Sequence, residues 1–218
     1  MFSHQPTEIV VVTDTLATST AGEPTFFVTK TFVVPHLQLV AAMTGTANVG
    51  QELIGMLFSS LLSRDIDMAA THTQAMLRGI ESGHLEQYPD ETKKMTSTVY
   101  YFGHSERQGQ YVRYAFRSTN GFEPQLTTDA GFGVKPEPDG GFEVPETLED
   151  WVALAERIRT EQKARPPAER IHVGGELHLT AMTEGNITSW PMYRFADIED
   201  QWHAMHDYHD AWTASPDD

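Results

Sequence analysis

Hydrophobic and polar positions change period several times along this chain, and each change marks an element. Glu8–Thr13 reads EIVVVT, a continuous β-branched run of the kind carried by a strand buried on both faces. Gly, Pro and small polar residues in TSTAGEP make Thr18–Pro24 a turn. A second strand is expected over Thr25–Val34, stopped by Pro35, and a third over Leu37–Thr44. The short Pro35-His36 step between them suggests an antiparallel hairpin. The period then lengthens. Val49, Leu53, Leu57 and Leu61 recur at helical spacing from Ala47 to about Arg64, with Ile54, Phe58 and Leu62 widening the stripe. Asp65 can cap a second helix, in which Met68, Ala69, His72, Met76 and Ile80 share a face as far as Gly83.

The polar stretch His84–Lys94, with Pro89 inside it, reads as a loop. Thr96–His104 and Gln110–Ser118 form a hairpin around Glu106-Arg107-Gln108-Gly109. Thr119–Pro145 is rich in Gly and Pro and fits either a surface excursion or one short strand near Phe132–Lys135. Thr147 opens a third helix with a capping box to Asp150; Leu148, Trp151, Val152, Ala155 and Ile158 supply its apolar face, and Pro166-Pro167 end it. Ile171–Met182 and Ile187–Phe195 make a last hairpin across Thr183–Asn186, and a helix over about Ile198–Trp212 closes the chain. Antiparallel strands segregated from helices predict an α+β fold in layers, with helices covering stacked sheets.

Composition narrows the function classes. The 218 residues suit one domain over 1–218, of which 196–218 are a terminal helix and tail. Fifteen Lys and Arg against 31 Asp and Glu give a net charge of −16, which repels phosphate backbones, so nucleic acid is not expected as a partner. The absence of cysteine excludes disulfides, thiolate catalysis and Cys-based metal sites, and suits a reducing cytoplasm, the expected location. MFSHQPTE lacks the basic start and apolar run of a signal peptide, and no apolar run approaches the roughly 20 residues of a membrane span, so no membrane partner is expected.

Candidate chemistry concentrates in the first quarter. Asp14 ends the strand in VVVTDTLAT, Lys30 stands within FVTKTF, and Gly45 lies in AMTGTA, ahead of the first helix. Asp14 alone reads as a turn former. Alternation could aim Lys30 at solvent, whereas a buried Lys30 would need a carboxylate, for which Asp14 is the candidate. Gly45 could equally be the turn that launches the helix.

In this order the three residues resemble the opening of proteasome β-subunits and their bacterial relatives in the N-terminal-nucleophile hydrolase superfamily. The resemblance implies a four-layer αββα sandwich over roughly Glu8–Phe195. It also implies a buried charged network of Asp14 and Lys30, sixteen residues apart as in the family, that orients a nucleophile. Gly45 would then supply a backbone N–H to an oxyanion hole. The family nucleophile is the first residue of the mature chain, on a strand preceding the aspartate, with its own α-amine as base. Here only MFSHQPT precedes Glu8, which is expected to be too short for that strand and hairpin, and Pro6 argues against regular pairing. Ser3 would become terminal only if Met1-Phe2 were removed. The expectation is therefore a non-catalytic proteasome-like protein, a self-assembling structural or interaction subunit forming a homo-oligomer. The alternative is an amide hydrolase whose nucleophile, Ser3, is exposed by unexpected processing.

Two other clusters carry less. His203, His206 and His209 with Asp207 and Asp210 could supply metal ligands, but HExxH is absent and the imidazoles sweep around a helix. A solvated helix is expected instead, with Trp202, Tyr208 and Trp212 on the body and no metal. Gly174-Gly175-Glu176 could form an anion nest or a close backbone approach; no phosphate-loop lysine accompanies it, so a structural role and no cofactor are expected. No GxSxG supports a serine-triad enzyme.

Overall fold

A computed structural model of the chain describes residues 1–59, 63–87 and 96–213. One antiparallel sheet has the order β10-β1-β2-β11-β12, from Gly131–Gly133, Phe2–Gln5, Glu8–Asp14, Glu176–Thr183 and Asn186–Arg194. A second has the order β5-β6-β7-β8-β9, from Thr31–Val34, Leu39–Thr44, Thr98–Ser105, Gln110–Arg117 and Gln125–Thr127. Leu16–Thr18 (β3) and Pro24–Phe27 (β4) pair separately. Four α-helices lie among the described residues: α1 (Ala47–Ser59), α2 (Ile66–Gln87), α3 (Leu148–Ala164) and α4 (Ile198–Thr213).

Side-chain alternation places three apolar clusters. Ile9 and Val11 of β2 meet Val40, Ala42 and Phe102 of the second sheet. Val12, on the opposite face of β2, meets Leu177, Leu179 and Trp151 of α3. Burial on both faces is why this strand is a continuous apolar run rather than an alternating one. The third cluster joins Val99, Tyr101 and Phe116 of β7 and β8 to Leu53, Leu57 and Leu77 of α1 and α2.

The first correction is at the start of the chain. Phe2–Gln5 does form a strand, pairing with Glu8–Val11 in the register Phe2↔Val11 and Gln5↔Glu8. Pro6 and Thr7 occupy the turn, so the missing N–H of proline costs no ladder bond, and four residues suffice for the strand. Phe2 drives the pairing: its ring packs 5.5 Å from Tyr100 and 5.2 Å from Phe102, with the Arg113 guanidinium 4.5 Å from its centroid.

Smaller differences have local causes. The expected strand Thr25–Val34 is broken at Val28–Lys30, where the Val28 N–H leaves for the Thr15 carbonyl. Leu37 belongs to a short 3-10 turn, and β6 starts after Gln38, which takes a left-handed φ of 45°. Helix α2 runs past Gly83 to Gln87, held by buried His84, whose Nε2 lies 2.9 Å from Glu52 Oε1. The last hairpin begins at Glu176 rather than Ile171, and the Gly/Pro-rich stretch supplies two short strands, β9 and β10. Asp65 caps α2 through its Oδ1 and the Met68 N–H, and the Thr147–Asp150 capping box is complete. Leu61, Leu62 and most of the expected 84–94 loop lie outside the described residues.

Candidate functional site

Both sheets end together at one rim. In the first, β2 ends at Asp14, β11 starts at Glu176, β12 ends at Arg194, β10 ends at Gly133 and β1 starts beside Met1. In the second, β5 starts at Thr31, β6 ends at Thr44, β7 starts at Thr98 and β8 ends at Arg117. Register aligns these ends: Leu177 is opposite Asp14, Thr44 opposite Thr98, and Thr98 opposite Arg117. Two contacts join the sheets there. Thr13 Oγ1 lies 3.0 Å from Thr31 Oγ1, and Lys135 Nζ donates a long 3.5 Å bond to Thr98 Oγ1.

At the centre of the rim Lys30 Nζ sits 2.6 Å from Asp14 Oδ1, with the side chains 23% and 15% exposed. Lys30 is thus paired, not aimed at solvent. The break between β4 and β5 frees it to turn inward, and the Met43 N–H, donating to the Lys30 carbonyl at 3.0 Å, ties that break to β6. Asp14 Oδ2 accepts the Gly174 N–H at 3.1 Å, and Gly175 donates to Gln201 Oε1 at 2.8 Å. The double glycine therefore serves close approach: Gly175 has φ +73°, and a Cβ there would lie 2.3 Å from Thr15 Oγ1.

Met1, just ahead of β1, lies beside this pair. Its α-amine donates to the Val12 carbonyl at 2.8 Å. Burial pushes the amine down to about 6, with Asp14 pulling it up and Lys30 pushing it further down. Ser3 is not brought to the pair. It stands opposite Val10 on β2, four residues short of Asp14, which is roughly 13 Å along the strand. Gly45 lies on the rim just past Thr44, with φ +105°, and a Cβ there would sit 2.2 Å from the Thr96 carbonyl oxygen. The backbone leading into β7 therefore demands glycine at this position, whatever else its N–H does.

One flank holds a cavity of about 450 Å³, lined by Thr15, Phe27, Glu176, His178, Arg194 and Trp202. Arg194 binds Glu176 Oε1 through Nε at 3.0 Å and a terminal nitrogen at 2.8 Å, and His178 Nε2 approaches Oε2 at 3.3 Å. Hydrogen bonds from Arg194 and then His178 hold the Glu176 carboxyl below the usual range. Trp202 is 51% exposed and stacks on Phe27 with centroids 6.2 Å apart, so it walls the cavity instead of packing into the body as expected. His206 packs edge-on against Trp202 and His209 Nε2 bonds the Thr25 carbonyl. Among the described residues no three His, Asp or Glu converge as a metal would need, and the Trp212 side chain lies outside them.

Sequence reasoning gave Glu176 only a structural role beside the double glycine and missed His178, Arg194, Arg117 and Lys135. Arg113 and Arg117 did carry a signal: in YVRYAFR they share one face of a strand, opposite Val112, Tyr114 and Phe116. Lys135 carried none, because only tertiary pairing of β10 with β1 brings it to the rim.

The chain is thus an α+β fold of antiparallel sheets with a charged pair and a buried amine at the joint end of its two large sheets. Solved structures with a similar fold include Anbu (ancestral beta-subunit) proteins. Anbu from Yersinia bercovieri superposes with TM-score 0.59 at 10% identity, over 99% of this chain and 97% of its own. The Gly-1 mutant of Anbu from Hyphomicrobium sp. strain MC1 gives 0.55 at 13% identity, over 96% and 94%. Another Anbu structure from that strain gives 0.52 at 12%, over 100% and 99%. No family model and no curated protein matches the sequence. The likeness to proteasome β-subunits drawn from the sequence is corrected accordingly, since three residues in the first quarter cannot tell one branch of such a fold from another.

Proposed function

We propose that the chain is a non-catalytic subunit on an Anbu-like fold, a self-assembling structural or interaction protein. The observation that carries this is the identity of the residues at and just ahead of β1. N-terminal-nucleophile chemistry needs a hydroxyl or thiol on the residue whose amine is the base. Met1 offers a thioether, which has no proton to surrender, and Ser3 is roughly 13 Å from the level of Asp14. Exposing Ser3 would remove Phe2, the ring seated against Tyr100 and Phe102. Asp14, Lys30 and Gly45 then remain as a vestigial site that holds the rim together.

The finer architecture belongs to this proposal: a four-layer αββα sandwich forming one domain over 1–218, as the three apolar clusters suggest. Exposed Met56 and Phe58 on α1 favour burial against another copy. A cysteine-free chain fits the cytoplasm. No described helix is long and apolar enough to cross a membrane.

The test combines intact mass of the native protein, fluorogenic peptide-amide assays with Ser3→Ala alongside, and light scattering. The expected result is no hydrolysis above the Ser3→Ala background, and a species larger than the 24.4 kDa chain. A mass lacking Met1 and Phe2 together with Ser3-dependent hydrolysis would establish the hydrolase instead. A strict monomer at high concentration would remove the assembly part.

A further inference from the structure

Cations are scarce in this chain, and its surface ones are typically paired, as Arg157 is with Glu161 and Arg165 with Asp139. Arg78 and Arg170, among the described residues, lack a carboxylate but bond backbone carbonyls, whereas Arg113, Arg117 and Lys135 lie together without one. Among the described residues none of the three has a carboxylate within ion-pair distance, and they gather on the flank of the rim opposite the cavity. Arg113 and Arg117 share the face of β8 that looks toward the first sheet, the face on which Tyr111 packs against Ile9 and Val11. Lys135 follows β10 on that sheet and reaches across to Thr98.

Register builds a row beneath Lys135. Thr44, Thr98 and Arg117 stand opposite one another on β6, β7 and β8, so their side chains emerge on one face. The Thr44 hydroxyl oxygen is buried and makes no hydrogen bond among the described residues. Arg117 spends one terminal nitrogen on Gln125 Oε1, leaving the rest of its fork. Lys135 is exposed as a residue and so reachable, yet its ammonium has only the long bond to Thr98. Desolvation of that ammonium, and then the charge of Arg117, hold it below the usual lysine value; desolvation does the same to Arg113. The general field of a chain with charge −16 repels anions, so a local gathering of unpaired cations and a spare hydroxyl is selective for a ligand that complements it.

We infer that Lys135, Arg117 and Thr44 form a seat for a compact oxyanion, the carboxylate or phosphate group of a small molecule. The anion accepts from the Lys135 ammonium, from the free edge of the Arg117 guanidinium and from the Thr44 hydroxyl, satisfying three donors that the fold leaves short. A planar fork beside a point charge is the usual recognition of such groups. The row spans two strand spacings, roughly 10 Å, room for one such group and little more. Across the rim from the Asp14–Lys30 pair, the seat would fix the charged end of a ligand whose remainder lies toward Met1. It stands whether or not the chain hydrolyses anything.

Titration calorimetry on the full chain tests it, using inorganic phosphate in one arm and succinate in the other, at ionic strength held constant with sodium chloride. The expected result is saturable one-site binding in at least one arm, and the arm that binds identifies the source of the oxyanion. Lys135→Met and Arg117→Gln should each weaken it at least tenfold, and Thr44→Val, which keeps the side-chain shape, by severalfold. Lys135→Met removes a cation with no carboxylate partner and only the long bond to Thr98, so its circular dichroism and melting should match the parent. If Arg117→Gln unfolds, Lys135→Met and Thr44→Val decide the matter. No saturable heat in either arm, or binding unchanged in a folded Lys135→Met, overturns the proposal.

Discussion

At the residue scale the Asp14–Lys30 pair is the tightest constraint on the rim. Both side chains are mostly buried, and the aspartate spends its second oxygen on the Gly174 N–H. Removing one partner leaves a poorly solvated charge, which is worse than removing both. Asp14→Asn is therefore expected to cost about 2–4 kcal/mol of unfolding free energy in urea, and Asp14→Asn with Lys30→Met together less than Asp14→Asn alone. Strictly additive losses would show that the two groups do not interact. The sequence offered this pair through a family resemblance, leaving open whether the two meet, and did not show the backbone break at Val28–Lys30 that delivers the lysine to it.

At the element scale, short-range chemistry read well and long-range pairing did not. The Thr147 box is local: its hydroxyl accepts the Asp150 N–H, and the Asp150 carboxylate takes the Thr147 N–H. Thr147→Ala should cost about 1 kcal/mol, seen as a lower denaturation midpoint with an unchanged slope. Strand β1 shows the reverse case. Four residues with a proline behind them look too short, yet Phe2 finds Tyr100 and Phe102 about a hundred positions away, and that contact outweighs the weak local preference. The same holds for β9, which had no strand signature, and for β10, hinted at only by a short possible strand near Phe132–Lys135; both are ordered by their neighbours.

For the whole molecule, buried basic groups set a pH dependence. In the 218-residue chain starting at Met1, the α-amine drops from an ordinary 8.0 to about 6 on folding. Between these values the unfolded chain holds a proton that the folded chain lacks, so stability rises with pH through that window and levels off above it. Two units correspond to roughly 2–3 kcal/mol at most. His4, held below its ordinary value chiefly by burial between the sheets, acts in the same sense at lower pH. Urea midpoints should climb from pH 6 to pH 8, and acetylating the amine should flatten that climb; a profile falling over this range would contradict the burial of Met1.

The sequence by itself determined the α+β class, the helices and their caps and most strand positions, because period, capping and turn chemistry act within a few residues; that Asp14 and Lys30 meet came from the tertiary structure. Only the tertiary structure decided that β1 exists, that both sheets end at one rim, and that Glu176, Arg194, Arg117 and Lys135 gather around it. Those positions follow from which strands pair and in what register. Such pairing is fixed by burial of side chains far apart in the chain, a collective property that no local pattern encodes.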